Sequence, residues 1–166
     1  MSEASLAPPR PSPEAASRLV LRLAAALHRA GIPAHRLEGL SDLVALRLGA
    51  EVRLFSTPTA LFAAVGPEHA ARTEILRIAP GAPNLGRQAE LDAIAESLLT
   101  GMASVDEATE ALDVLESAPP PWSPAATLGA FALTGTTAAL VLGGGPMESL
   151  ASTVAGLAVG ILDRIV

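Results

Sequence analysis

The chain of 166 residues contains no cysteine, and all eleven of its basic residues are arginine. The absence of cysteine excludes disulfide bonds, thiolate metal sites and cysteine nucleophiles. The formal net charge is −6, and no basic stripe with interleaved aromatic residues occurs along the chain. This charge balance argues against nucleic acid as a partner.

Charged residues are also nearly missing from the C-terminal part of the chain. Ser117–Leu162 carries one charge, Glu148, whereas residues 1–116 carry 25 of the 28 charges. Ser123–Leu142 has no charge over 20 residues, which is about the length that crosses a bilayer as a helix. The asymmetry is typical of a soluble domain joined to a segment that prefers lipid to water.

The N-terminal 13 residues do not have the pattern of a signal peptide. They contain an early acid and four prolines and lack an apolar stretch. We interpret residues 1–13 as a disordered, proline-rich lead. Membrane targeting is therefore expected from the C-terminal apolar region.

Residues 14–117 are predicted to form an α+β domain with two helices, a three-stranded antiparallel sheet and two further helices. Ser12-Pro13-Glu14 is a helix start, and Ser104 with Glu107 forms a capping box. Between the helical stretches the apolar period changes, and a turn at residues 80–83 closes this part. The predicted strands are Glu51–Ser56, Thr59–Val65 and Thr73–Ile78.

Residues 118–122 form a stiff, proline-rich linker, and residues 123–166 form an apolar helical hairpin. The break comes at Gly143–Pro146, because three glycines and a proline make a poor helix interior. Ser123–Leu142 and Met147–Ile165 are the two predicted helices, antiparallel and in the membrane. A soluble alanine-rich helix pair is the alternative. Trp122 suits a membrane boundary, with a buried domain junction as its alternative.

Small residues recur at helical spacing in both apolar segments, which favours close helix packing. Ser152, Gly156 and Gly160 lie four residues apart in the second segment. A similar stripe in the first segment consists of Ala126, Ala130, Thr134 and Ala138. We predict that the two stripes face each other. We also expect the stripe of Ser152, Gly156 and Gly160 to leave a packing surface for another helix, because two helices cannot enclose a polar path.

Several short signatures, in their order and spacing, resemble the threonine/serine exporter family from about Ala15 to the chain end. They are LRLAAALHRAG, FSTPTALFAAV, TEILRI, NLGRQAELDAIAESLLTG and SVDEATEAL, followed by a proline break and a glycine-rich apolar hairpin. The resemblance implies a bacterial inner-membrane protein with a cytoplasmic N-terminal α+β domain. It also implies ion-gradient-driven efflux of small hydroxy-amino acids or small carboxylates.

The sequence departs from this family by ending after two hydrophobic segments. We therefore expect a truncated chain or half of a split transporter. Its partners would be the lipid bilayer and further transmembrane helices, from a partner subunit, a missing C-terminal half or more copies. The alternative is a membrane-tethered interaction or regulatory module without transport activity, and a hydrolase comes third. What separates the first two is whether further membrane helices accompany the chain.

No catalytic or metal-ligating constellation emerges from the spacing of the ionisable residues, so we predict no enzyme activity, metal or cofactor. His28, His35 and His69 are interpreted as solvated, and Asp92 with Glu96 as a solvated stripe. Three groups keep functional weight. Thr57 and Thr59 flank a strand turn and are candidate site residues, with a plain turn as the favoured alternative. Arg77, in an apolar strand, is a candidate anion site or a partner of Glu74 or Glu51. Thr134, Thr136 and Thr137 are candidates for lining a substrate path, and the alternative is that their hydroxyls only bond the helix backbone.

Overall fold

The computed structural model describes residues 11–79, 81 and 83–165. Residues 1–10 of the predicted lead and two residues of the predicted turn, Pro80 and Ala82, lie outside the described residues. The elements fall into two compact units, Met1–Ala118 and Pro119–Val166. Each unit is described by itself.

The predicted α+β class is confirmed, with helices, a three-stranded antiparallel sheet and an apolar helix pair in the predicted order. In its described residues, the first unit contains α1 (Pro13–Arg29), α2 (Ala34–Leu48), β1 (Val52–Thr57), β2 (Ala60–Val65), β3 (Arg72–Arg77), α3 (Leu85–Thr100) and α4 (Val105–Ser117). The second unit contains α5 (Pro124–Val141) and α6 (Pro146–Leu162). The strands lie within one residue of their predicted bounds.

Local side-chain chemistry fixes where these helices begin. The Ser12 hydroxyl accepts a hydrogen bond from the Ala15 amide at 3.2 Å at the start of α1. At α4 the Glu107 carboxylate accepts from the Ser104 amide at 2.8 Å, and the Ser104 hydroxyl accepts from the Glu107 amide. Each bond satisfies a backbone donor that a helix start leaves unpaired.

The sheet has the order β1-β2-β3, and both strand pairs are antiparallel. Its inner face, represented by Leu61 and Ala63 on β2, is buried against the helices. On the outer edge of β1, the Glu38 carboxylate of α2 accepts the Ser56 amide at 2.6 Å. This bond occupies a backbone donor that would otherwise be open at an edge strand.

Helix α1 is the centre of the core, in contact with α2, α3, α4 and β2. Its residues Leu23 and Leu27 are fully buried. At the rim, the Arg22 guanidinium pairs with Asp113 and Glu116 of α4, each at 2.7 Å. The two carboxylates raise the pKa of Arg22 above its ordinary value, and the hydrogen bond that the guanidinium donates to Asp113 contributes most.

His28 corrects the sequence interpretation, because it is buried rather than solvated. Its Nε2 lies 2.8 Å from the Thr57 carbonyl oxygen. A carbonyl only accepts, so Nε2 carries the proton and Nδ1 is the unprotonated nitrogen in the neutral ring. The expectation of a solvated side chain assumed one exposed face on α1, whereas neighbouring elements surround this helix.

Arg87 of α3 binds the end of α4. Its guanidinium donates to the carbonyl oxygens of Leu115 at 2.6 Å and Ala118 at 2.9 Å. The last carbonyls of a helix have no partner within the helix, and a cation also interacts favourably with this end of the helix dipole. Arg87 thus fixes the last residue of the first unit to α3.

Candidate functional site

The close contact between α5 and α6 is made by glycines whose backbones touch the opposite helix. A Cβ atom added to Gly135 would collide with the carbonyl oxygen of Ser152, and one added to Gly156 would collide with that of Phe131. A Cβ on Gly160 would lie 2.9 Å from the Phe131 ring. The helices therefore meet backbone to backbone, as small residues permit in apolar surroundings.

The stripe of Ser152, Gly156 and Gly160 consequently faces α5 within the same hairpin. Gly156 and Gly160 are covered by Phe131, so these positions do not leave the free surface that was expected for another helix.

On α5 the predicted stripe is wrong. Ala126, Ala130, Thr134 and Ala138 are exposed. The contact is made by the neighbouring helix face, with Leu128, Phe131, Gly135 and Ala139. Gly135 allows a closer approach than alanine or threonine can, and this decides the rotation of α5.

A cluster of hydroxyl groups lies inside the hairpin. The Thr136 and Thr153 hydroxyl oxygens are 2.6 Å apart and join the two helices. Thr136 also lies 2.9 Å from the Ala132 carbonyl, and Thr153 lies 2.7 Å from that of Ser149. Because each hydroxyl has one proton, one threonine donates across the hairpin and the other donates to its own helix.

Ser149 belongs to the same helix face and was missed by the sequence interpretation. Its hydroxyl oxygen is buried and has no hydrogen-bond partner among the described residues. The signal that could have found it is the spacing of four between Ser149 and Thr153, which places two hydroxyls on the glycine face of α6.

Of the three threonines predicted to line a path, only Thr136 faces the hairpin interior. Thr134 and Thr137 are exposed on the opposite face of α5. Their hydroxyls donate to the carbonyls of Ala130 and Leu133, at 2.8 Å and 2.7 Å. Such bonds satisfy a hydroxyl within its own helix when no outside partner is present.

The outward surface of the hairpin is strongly apolar. Only Ala139 in α5 and Gly160 in α6 are buried, while Leu133, Val141 and Val154 are more than half exposed. Among the described residues, α5 is the one helix long and apolar enough to span a membrane, and α6 is a shorter apolar helix. Within the second unit, the hairpin therefore leaves a large apolar surface uncovered.

The open end of the hairpin contains a cavity of about 410 Å³, lined in part by Trp122, Thr127 and Arg164. The start of α5 and the end of α6 therefore lie at the same end of the hairpin. Trp122 is not covered by the rest of the second unit.

The candidates in the first unit do not converge on one site. Thr57 donates to the Ala60 carbonyl at 2.9 Å within its turn, and the Thr59 carbonyl accepts the Ile78 amide. Thr57 and Arg77 lie on the two outer strands, each opposite Ala60. They are thus two strand spacings, or about 10 Å, apart. The strand register therefore does not by itself bring the two side chains into contact.

Of the two expected partners of Arg77, Glu74 pairs with Arg72 at 2.9 Å instead. Glu51 forms no ion pair with Arg77 among the described residues. Asp92, interpreted as solvated, pairs with Arg36. In the part of the chain that the structure describes, no group of three or more His, Asp or Glu side chains is placed to hold a metal ion.

A family model described as "Putative threonine/serine exporter" matches residues 18–166. The match spans both compact units and includes the whole described hairpin. No curated protein and no solved structure matches the chain.

Proposed function

We propose that this chain, which belongs to the threonine/serine exporter family, is a component of a membrane exporter of threonine, serine or small carboxylates. The family is one of transporters, which agrees with a non-enzymatic role. The observation that carries the proposal is the hairpin itself, a pair of closely joined helices with hydroxyls and an apolar outer surface.

The outer surface supports a place in the bilayer. Leu133, Val141 and Leu150 are each 60% exposed or more. Removing a side chain of this size from water is favourable by about 1.5–3 kcal/mol when burial is complete. Contact with lipid or with further membrane helices would supply that gain, which the hairpin cannot supply internally.

The geometry of the hairpin supports a path that includes other helices. Its interior is closed by the contacts of Gly135 and Gly156, so a substrate cannot pass between α5 and α6. Thr134 and Thr137 lie on the outward face of α5. We place the substrate path between this face and further transmembrane helices, from a partner subunit or from more copies of the chain. The two hydroxyls would then bind the polar groups of a small substrate.

Arg164 supports an orientation with the first unit in the cytoplasm of a bacterial cell and the hairpin in the inner membrane. It is the one basic residue of residues 119–166, and it lines the cavity at the open end of the hairpin. Basic residues at membrane boundaries favour the cytoplasmic side. The start of α5 lies at that same end.

Efflux from cells of the native organism tests the transport proposal without requiring knowledge of a partner. Cells lacking the gene are loaded with labelled threonine, serine or a small carboxylate, and loss of label is followed with leucine as a control. We expect deletion to slow efflux of at least one of these substrates. The full chain should restore it.

Two variants sharpen the test. Thr137→Val removes an outward hydroxyl at nearly constant shape and should restore efflux poorly, whereas Leu140→Val changes an exposed apolar neighbour and should restore it fully. Unchanged efflux of every candidate substrate after deletion would contradict transport. That result would favour the membrane-tethered interaction module.

A further inference from the structure

The outer face of the sheet in the first unit exposes a row of large apolar side chains. Phe55, Phe62 and Ile75 lie opposite one another on the three strands. They are 63%, 37% and 66% exposed, and the two phenylalanine rings are 6.4 Å apart. Phe55 and Ile75 are thus mostly exposed, and Phe62 between them is partly covered.

Two arginines accompany this row. Arg53 and Arg77 occupy outer-face positions on β1 and β3 and are exposed. Among the described residues, neither has a carboxylate within ion-pair distance. The strand acid Glu74 belongs to the opposite face by alternation and pairs with Arg72. We call Arg53, Phe55, Phe62, Ile75 and Arg77 the open sheet face.

The five residues of the open sheet face carry two positive charges, whereas the chain has a net charge of −6. Glu51 and Glu68 line a depression beside Arg53 at the margin of this face. A second copy packed face to face would bring arginines toward arginines, and this disfavours self-association. An anionic lipid surface is complementary instead, because phosphates accept hydrogen bonds from guanidinium groups and the apolar row can enter the boundary between headgroups and acyl chains.

The length of the linker also favours a lipid surface as the partner of the open sheet face. Five residues separate Ala118, the end of the first unit, from Pro124, the start of α5. Six Cα steps can cover at most about 22 Å. If α5 spans the bilayer, as the proposed function requires, the first unit remains at a high effective concentration near the headgroups.

The geometry points to docking of the open sheet face on anionic phospholipid headgroups of the membrane that holds the hairpin. The arginines bind the lipid phosphates, and Phe55 and Ile75 enter the apolar boundary. This inference rests on the proposed function only for the presence of the membrane. Its consequence is that the position of the first unit responds to the anionic lipid content.

The lack of cysteine allows a direct test on the full chain, because any introduced thiol is the only one to be labelled. Thr73→Cys places a polarity-sensitive fluorophore on the sheet face, and Glu110→Cys places one on exposed α4 as a control. The protein is reconstituted in nanodiscs of phosphatidylcholine, with or without about one third phosphatidylglycerol. We expect the emission maximum of the Thr73 probe to shift to the blue in the anionic discs only. Spin-labelled lipid should likewise quench this probe in the anionic discs only.

The variant Arg53→Gln/Arg77→Gln should lower the equilibrium constant for docking by about fivefold for each arginine removed. The reason is that each arginine is attracted electrostatically to an anionic membrane surface. High salt should weaken docking in the same direction. The separate variant Phe55→Ser/Ile75→Ser keeps both charges and should lower the blue shift. Equal responses of the Thr73 and Glu110 probes, or no dependence on anionic lipid, would overturn the inference.

A probe at Leu133→Cys in α5 shows whether a negative result contradicts only the docking inference or also the proposed function. If lipid quenches the Leu133 probe but not the Thr73 probe, the hairpin is in the membrane and only the docking inference is wrong. If neither probe is quenched, the membrane placement required by the proposed function is wrong as well.

Discussion

Replacing Gly156 by alanine should separate α5 from α6. The added methyl group meets the carbonyl oxygen and carbon of Phe131, which are backbone atoms and cannot move as a flexible side chain can. The helices must move apart, and contacts along the whole hairpin lengthen with them. Overpacking of this kind costs about 1–3 kcal/mol, and we expect the upper half of that range because the obstacle is backbone.

Gly129→Ala is the matched control. Gly129 also lies in α5, but a Cβ atom there meets nothing within 4 Å. Both substitutions gain about 1 kcal/mol of helix propensity, so this gain cancels when the variants are compared. The difference in hairpin stability between Gly156→Ala and Gly129→Ala should therefore be about 2–3 kcal/mol. Gly135→Ala should behave like Gly156→Ala, because it meets the Ser152 carbonyl.

The assay uses energy transfer between fluorophores at Ala125→Cys and Leu162→Cys, near the open end of the hairpin. The protein is unfolded in mixed micelles by raising the fraction of sodium dodecyl sulfate. Wild type and Gly129→Ala should lose transfer together, and Gly156→Ala should lose it at a clearly lower fraction. Coincident curves for Gly156→Ala and Gly129→Ala would refute the reasoning.

Three further predictions concern the first unit and are measured by hydrogen exchange on the full chain in detergent. Leu23→Ala removes a fully buried side chain from α1 and should lower the free energy of unfolding by about 2–5 kcal/mol; a loss below 1 kcal/mol would contradict the central place of α1. His28→Phe leaves the Thr57 carbonyl without its donor and should cost about 1–3 kcal/mol, with faster exchange in the β1–β2 turn. Glu107 has a pKa below its ordinary value of 4.5, mainly because the Ser104 amide donates to its carboxylate. The contribution of Glu107 to stability is complete above that ordinary value and is lost as the pH falls through the lower pKa of the folded state. In acid, α4 of the wild type should therefore lose more protection from hydrogen exchange than α4 of Glu107→Gln.

Most of the first unit could be predicted because its signals are local. Capping residues fixed the starts of α1 and α4, and the change of apolar period separated the strands from the helices. These signals act over a few residues, so they can be interpreted without knowledge of the tertiary structure. The hairpin was predictable for a similar reason, since a glycine-proline break between two uncharged runs is also local.

The errors concern properties that depend on tertiary contacts. His28 was misjudged because the surroundings of α1 on all sides follow from the arrangement of the other elements. The rotation of α5 was misjudged because this helix is apolar all round, so hydropathy does not distinguish its faces. The backbone contact of Gly135 fixes that rotation. The row of Phe55, Phe62 and Ile75 depends on strand register, which the separate strand patterns do not give.

The bond pair between Arg87 and the end of α4 has a mechanical consequence. A pull on the linker is first resisted at Ala118, whose carbonyl is held by a guanidinium that also holds Leu115. The load then passes into α3 across a charge-assisted contact rather than unwinding the last turn of α4. Such bonds contribute about 1.5–3 kcal/mol each. Force along the chain is thereby delivered to the domain as a whole, and its point of application is fixed.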